Sequence, residues 1–128
     1  DAMRGTRGAV AAVCWIDPGT GELTYAGVGN IAGRLLLGGA SHGLVSREGT
    51  LGTHLPAPGI RPARHTWGPG ATLVLASDGL RGQWDPRAYP GLLEHHPVVV
   101  AATLQRDFGR GSDDALVLVV RDRRRPAA

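Results

Sequence analysis

Two short acidic motifs stand at the ends of two apolar runs, and they hold the residues best suited to chemistry. Ser77-Asp78-Gly79 follows the apolar run 71–76, and Gly111-Ser112-Asp113-Asp114 precedes the apolar run 115–120. If the two runs are antiparallel neighbours in one sheet, the exit of the first lies beside the entrance of the second. Asp78 and Asp113 would then share one sheet edge. Carboxylates brought together in this way either repel each other or hold a hard cation such as Mg²⁺ or Mn²⁺, which prefers oxygen ligands.

Taken one at a time, the two motifs have ordinary explanations. Asp-Gly is a common turn pair, and the acids before the second run can accept hydrogen bonds from loop backbone N–H groups. Together the motifs favour a metal site, because a buried strand rarely ends in an unpaired carboxylate. Desolvation of the charge is costly unless a cation or hydrogen-bond donors compensate for it.

The surrounding sequence predicts the elements that would position these acids. Apolar runs separated by turn residues predict two β-hairpins, over residues 9–28 and 34–46, and further strands at 64–67, 71–76 and 115–120. Residues 97–108 are predicted to form a helix, since it has proline in its first turn and glycine after its end. Its apolar positions are taken as Val98, Ala101, Ala102 and Phe108. Strands dominate the first part of the chain and a helix precedes the last strand, so we predict an α+β fold with antiparallel sheets.

Other candidate motifs have weaker support. The segment from Gly27 to Ala32 fits the glycine-rich pattern of dinucleotide-binding loops, but that function needs a long helix directly after the glycines. Residues 34–37 are too few to form such a helix before the next glycine pair. The segment is therefore interpreted as a strand bend in which Asn30 bonds nearby backbone. The five histidines show no metal-binding spacing, and no serine-hydrolase elbow is present.

Length and composition predict one globular domain. The chain has 128 residues, of which 42% are hydrophobic and 20% charged. No apolar stretch approaches the ~20 residues that a transmembrane helix needs, so no membrane partner is expected. Cys14 is the single cysteine, which excludes an intrachain disulfide and favours a cytoplasmic location.

The net charge of +3 belongs to the end of the chain. The whole chain has 14 arginines and 11 acidic residues, and the last eight residues hold four of those arginines and one aspartate. The body is therefore neutral, and with few aromatic residues for base stacking we expect no nucleic-acid partner. Residues 122–128 are predicted to be a disordered, arginine-rich tail after a domain that spans residues 1–121.

The ordered pair of acidic motifs resembles the metal-dependent protein phosphatases of the type 2C (PPM) superfamily, especially the compact bacterial SpoIIE-like and RsbX-like branch. The resemblance also includes Ala26-Gly27-Val28-Gly29-Asn30, after Arg7-Gly8-Ala9, and the loop Gly49-Thr50-Leu51-Gly52. It covers nearly the whole chain, from Arg4 to Arg121.

The resemblance implies an α-β-β-α sandwich with two Mn²⁺ or Mg²⁺ ions at one end of its sheets. Its implied activity is hydrolysis of phosphoserine or phosphothreonine by activated water, with no covalent intermediate. Asp78 and Asp113 would ligate the same ion. Supporting positions would be Gly79, Asp114 and Asn30. Arg81 and Arg110 flank the motifs and would either contact the substrate phosphate or be solvated surface residues.

The resemblance also implies a partner and exposes one departure. The expected substrate is a regulatory phosphoprotein of bacterial partner-switching signalling, for example a phosphorylated antagonist of an anti-sigma factor. The family has an earlier Asp-Gly motif whose carboxylate bridges both ions, and no Asp-Gly pair precedes Asp78. The chain is therefore expected to be the C-terminal portion of the domain, inactive without the N-terminal portion. The alternative is a non-catalytic interaction module that binds a signalling regulator.

Overall fold

The computed structural model of the chain describes residues 11–29, 31–44, 62–77, 88–108 and 116–125. These residues form strands, one α-helix and a short 3₁₀ turn at Leu92–Glu94. The elements are β1 (Ala11–Asp17), β2 (Glu22–Val28), β3 (Ala32–Leu37), β4 (Ala40–Leu44), β5 (Ala63–Thr66), β6 (Thr72–Ala76), α1 (Pro97–Phe108) and β7 (Val117–Arg121).

The strands form two sheets in which every neighbouring pair is antiparallel. One sheet has the order β1-β2-β5, and the other has the order β4-β3-β6-β7. The predicted α+β class with antiparallel sheets is thus confirmed, and both predicted hairpins are present as β1–β2 and β3–β4. Strand β3 follows the glycine-rich segment directly, in the place where a dinucleotide-binding loop would need a helix.

The turn between β1 and β2 shows how local sequence sets the first sheet. The Asp17 side chain accepts a hydrogen bond from the Gly19 backbone N–H at 2.9 Å. Gly21 has a φ of 74°, and its carbonyl accepts a hydrogen bond from the Trp67 N–H at 2.8 Å. A side chain at Gly21 would be strained at this φ and would approach the Trp67 carbonyl at 3.1 Å. Glycine therefore lets the turn meet the segment that follows β5.

Two apolar cores lie on the two faces of the four-stranded sheet. The first core fills the space between the sheets and contains Leu23, Tyr25, Leu35, Leu44, Trp67, Ala71 and Leu73. The second core packs the opposite face against α1 and the 3₁₀ turn and contains Leu36, Val74, Ala76, Leu92, Val100 and Leu104. The described residues thus form a β-β-α arrangement, which is part of the predicted α-β-β-α sandwich.

The buried face of α1 differs from the one expected. Val100 and Leu104 are fully buried one turn apart, whereas Val98 is 64% exposed and Ala102 is exposed. The first half of the helix is apolar on all sides, so its sequence has no periodicity that selects a face. Packing against β7 and β6 selects it instead.

The start of the arginine-rich tail is held against the sandwich. The Asp122 N–H donates to the Ala71 carbonyl at 2.9 Å, and the Trp67 indole N–H donates to the Asp122 carboxylate at 2.8 Å. Arg124 also bonds this carboxylate. Asp122 and Arg124, at the start of the predicted tail, thus make defined contacts, while the predicted domain boundary at residue 121 stays a prediction. Residues 126–128 lie outside the described part of the chain. In the part of the chain that is described, α1 is too short to span a membrane.

Candidate functional site

At one end of the four-stranded sheet, which is called the acidic edge here, the last residue of β6 lies beside the first residue of β7. Ala76, the last residue of β6, is opposite Val117, the first residue of β7. Beyond this pair, the Ser77 N–H donates to the Leu116 carbonyl at 3.0 Å, and the Leu116 N–H donates to the Ser77 hydroxyl oxygen at 2.9 Å. Two hydrogen bonds therefore extend the pairing one residue past the strands.

A third segment reaches the same edge from the other side of β6. Ala32, the first residue of β3, is opposite Ala76. Just before it, Gly29 has a φ of 96°, and the Ile31 N–H donates to the Gly29 carbonyl at 2.9 Å. This bend carries the chain from the three-stranded to the four-stranded sheet. The start of β3 is therefore adjacent to the end of β6, which leads into the first acidic motif, and β6 separates it from β7.

The predicted site residues follow or precede these described positions directly. Asp78 is the next residue after Ser77, and Asp113 comes three positions before Leu116. The predicted meeting of the two strand ends is thus observed in the register of β6 and β7. The side chains of the predicted residues lie outside the described residues, and their roles stay predictions: Asn30, Asp78, Gly79, Arg81, Arg110, Asp113 and Asp114.

Strand β6 is almost wholly buried up to Ala76, so Ser77 lies at the end of a packed strand. A site for a hard divalent ion beyond Ser77 stays a prediction. Carboxylate oxygens are the donors that Mg²⁺ and Mn²⁺ prefer. Within the described residues, no group of three His, Cys, Asp or Glu side chains could hold a metal ion.

The Ser77 hydroxyl is a positioning group that the sequence analysis did not identify. It is the acceptor that holds Leu116, the residue before β7, beside the end of β6. A signal for it exists in the sequence, because Ser77 is the first polar side chain after the apolar run 73–76. Its partner could not be read from the sequence, since the partner is a backbone group of a distant segment.

The carboxylates with shifted pKa values in the described residues lie elsewhere. In the last turn of α1, hydrogen bonds lower the pKa of Asp107 to about 2, and the bond from Arg106 has a larger effect than the bond from Tyr89. At the opposite end of β7, hydrogen bonds from Arg124 chiefly hold the pKa of Asp122 well below its usual range. Partial burial raises the pKa of the Cys14 thiol, which disfavours the thiolate form. These groups support the fold rather than the acidic edge.

Comparisons with known proteins point to one family. The family model of stage II sporulation protein E (SpoIIE) matches residues 1–123. A solved structure from work on the bacterial stressosome, described as a modular system adapted to control secondary messenger signalling, is 31% identical with a TM-score of 0.77. That similarity covers 91% of this chain and 60% of the other. Among curated proteins no match is found.

Two further solved structures share the fold at lower identity. RsbX in complex with magnesium is 24% identical, with a TM-score of 0.74 and coverage of 94% of this chain and 59% of RsbX. The phosphatase domain of the cell-fate determinant SpoIIE from Bacillus subtilis is 16% identical, with a TM-score of 0.62 and coverage of 93% and 61%. The chain therefore spans about 60% of the length of the solved structures that it matches.

Proposed function

Because the chain belongs to the stage II sporulation protein E (SpoIIE) family of PPM-type phosphatases, we propose that it forms part of the metal site of a serine/threonine protein phosphatase. Asp78 and Asp113 hold one divalent ion, Mn²⁺ or Mg²⁺, at the edge where β6 ends and β7 begins. The observation that carries this proposal is the pair of hydrogen bonds between Ser77 and Leu116. These hydrogen bonds hold the end of β6 beside the residue that precedes β7, and neither of them involves a carboxylate.

The two metal ions that PPM-type sites bind would act as Lewis acids for the phosphoryl oxygens and would lower the pKa of an attacking water. The residues of this chain would hold the metal ion and orient the substrate phosphate. Asp78 and Asp113 stay ionised as ligands, since a nearby cation favours the charged form of a carboxylate. Gly79 allows the turn after the first ligand, and Asp114 and Asn30 support the edge. Arg81 and Arg110 are candidates for contact with the substrate phosphate.

The proposed site is incomplete within these 128 residues. Asp78-Gly79 is the only Asp-Gly pair in the sequence, so the earlier Asp-Gly motif of the family has no counterpart before it. We propose that a second segment supplies the carboxylate that bridges both ions. On this proposal the 128-residue chain alone is inactive, and a protein that contains both this chain and the earlier motif is active.

The proposed substrate is a regulatory phosphoprotein of a bacterial partner-switching pathway, such as a phosphorylated antagonist of an anti-sigma factor. The similarity to a stressosome structure supports a role in regulation. A cytoplasmic location agrees with this role and stays a prediction from the single Cys14.

Mutation of the two aspartates tests the phosphatase proposal. In a protein that contains both this chain and the earlier Asp-Gly motif, we expect Mn²⁺-dependent release of phosphate from a phosphoserine peptide. Asp78→Asn or Asp113→Asn should lower kcat by on the order of 100-fold or more, since even groups that only support metal ligands contribute 10- to 100-fold. Asp107→Asn, a carboxylate change on α1, is the control and should leave the rate within about twofold. Full turnover in either site variant would contradict the proposal.

The alternative function is a non-catalytic interaction module. The missing Asp-Gly motif favours it, because a fold can be retained as a binding surface after its metal site is lost. Calorimetric titration of the chain with Mn²⁺ separates the two functions. Binding of Mn²⁺ that is lost in Asp78→Asn supports the metal site, whereas no binding, even after addition of the earlier motif, supports the interaction module.

A further inference from the structure

A cleft lies at the end of the four-stranded sheet opposite the acidic motifs. It has a volume of about 980 Å³ and is bordered by the β3–β4 turn, the start of β6, the 3₁₀ turn and residues 121–125. A second cavity of about 450 Å³ adjoins it. Three charged residues border both spaces: Glu94, Arg121 and Arg123.

Arg121 is the residue at the centre of this region. Its Nε donates to the Thr72 hydroxyl at 3.3 Å, and its Nη1 donates to the His95 carbonyl. Its Nη2 is buried and has no hydrogen-bond acceptor among the described residues. Burial also lowers the pKa of Arg121, because desolvation disfavours the charged form. A buried charged donor without an acceptor is costly, and an anion beside it would remove that cost.

The charges around the cleft leave an excess of positive charge. Arg124 is engaged by Asp122 at 2.8 Å, so these two residues neutralise each other. The other charged residues of the lining are Glu94, Arg121, Arg123 and Arg125. Three arginines against one glutamate leave a net charge of about +2, which matches a dianion.

We propose that this cleft binds a phosphate dianion, either free or carried as a monoester on a small organic molecule. Guanidinium groups suit phosphate because they present parallel N–H donors to two oxygens at once. Leu36 and Leu93, which belong to the same core on the α1 side of the sheet, provide an apolar wall for the organic part of a monoester. The described lining contains no aromatic side chain, so it offers no surface for stacking a nucleotide base.

The cleft is separate from the proposed metal site. The two sites lie at opposite ends of β6, whose five residues span roughly 17 Å at about 3.3 Å per residue. Because Nη2 is shielded, contact with phosphate requires the Arg121 guanidinium to turn toward the bordering space, where bonds to phosphate oxygens would replace those to Thr72 and His95.

Calorimetric titration with two probes tests the proposal. The purified chain is titrated with inorganic phosphate and with phenyl phosphate in EDTA, so that no divalent ion can hold phosphate at the acidic edge. We expect saturable binding, with phenyl phosphate binding more tightly if the leucine wall contributes. Asp78→Asn should not change it, which separates this site from the proposed phosphatase function. Equal affinity for the two probes would assign the cleft to free phosphate.

Three charge variants distinguish a specific phosphate site from nonspecific electrostatic attraction of phosphate. Arg121→Gln should weaken binding at least tenfold, whereas Arg64→Gln, which removes the same charge from β5, should change it less than twofold. Glu94→Gln should tighten binding several-fold, a gain that misfolding cannot produce, so it decides the matter if Arg121→Gln fails to fold. Absence of binding, equal losses in both arginine variants, or no gain in Glu94→Gln would overturn the proposal.

Discussion

The Ser77 hydroxyl has a role that its position beside the proposed metal ligand Asp78 would not by itself suggest. It accepts the backbone N–H of Leu116, and the Ser77 N–H donates to the Leu116 carbonyl in return. The first segment therefore holds the second by a side chain as well as by backbone. A serine in this place limits how far the end of β6 and the residue before β7 can move apart.

We predict that Ser77→Ala weakens metal binding more than it weakens the fold. Loss of one hydrogen bond should lower the free energy of unfolding by about 1 kcal/mol. Mn²⁺ affinity of the protein that contains both motifs should fall about tenfold, as when a group that orients metal ligands is lost. Ser41→Ala is the control, since Ser41 accepts a hydrogen bond from Arg34 at 2.8 Å on β4. A similar loss of Mn²⁺ affinity in both variants would contradict the positioning role.

Asp107 makes stability depend on acid pH. Its folded-state pKa of about 2 is below the unfolded value of about 3.9, so its interactions stabilise the fold above the unfolded pKa. That stabilisation is lost as the pH falls through about 2. We expect Asp107→Asn to lower the urea midpoint at pH 6 and to approach the unsubstituted chain near pH 2. Arg106→Gln should show the same convergence. A gap that is unchanged between pH 6 and pH 2 would show that another interaction is responsible.

Helix α1 shows which property of an element the sequence leaves open. Its bounds, Pro97–Phe108, agree with the prediction because proline and glycine mark the ends locally. Its buried face does not agree, since Pro97 to Ala102 form an unbroken apolar run. The residues that contact the sheet are decided by where β7 and β6 lie.

The corrected face of α1 predicts opposite outcomes for two neighbouring valines. Val100→Ala should lower the free energy of unfolding by about 2 kcal/mol, because it removes two buried methyl groups and leaves a cavity. Val98→Ala should change it by less than about 0.5 kcal/mol, as expected for an exposed position. Urea unfolding of both variants measures the difference. Equal losses would restore the face expected from the sequence.

At the scale of the whole molecule, the two sheets differ in size within the described residues. Three described strands cover four, and the side of β7 that faces the other sheet is not fully covered: Leu118 is 51% exposed and Leu116 is 72% exposed. On the other sheet, Trp15 of β1 is 72% exposed. Apolar groups of this size beside an unpaired strand edge are prone to association.

We therefore expect the 128-residue chain to self-associate. Sedimentation should show a mean mass that rises with protein concentration, because edge strands can pair and bury the exposed side chains. Trp15→Thr should reduce this rise. Val98→Thr is the matched control, since Val98 is similarly exposed but lies on a helix, where no strand edge is available. A mass that does not depend on Trp15 would exclude β1 as the contact.

The sequence by itself determined the elements and the family. Apolar runs, turn glycines and a helix-starting proline are local signals, so the strands, the hairpins and the bounds of α1 could be predicted. The order of the two acidic motifs was sufficient for the resemblance to PPM phosphatases, and the family match agrees. The antiparallel pairing of β6 with β7 was also predicted and is observed, whereas the proximity of Asp78 and Asp113 stays a prediction.

Only the tertiary structure decided how distant segments are joined. The Ser77–Leu116 hydrogen bonds, the capture of Asp122 by Trp67 and the place of Arg121 between two cavities each connect residues far apart in the chain. Residues 122–125 read as a charged, solvated tail in sequence, yet one carboxylate anchors them. Such contacts depend on three-dimensional packing. The sequence pattern does not show which buried donor will meet which acceptor.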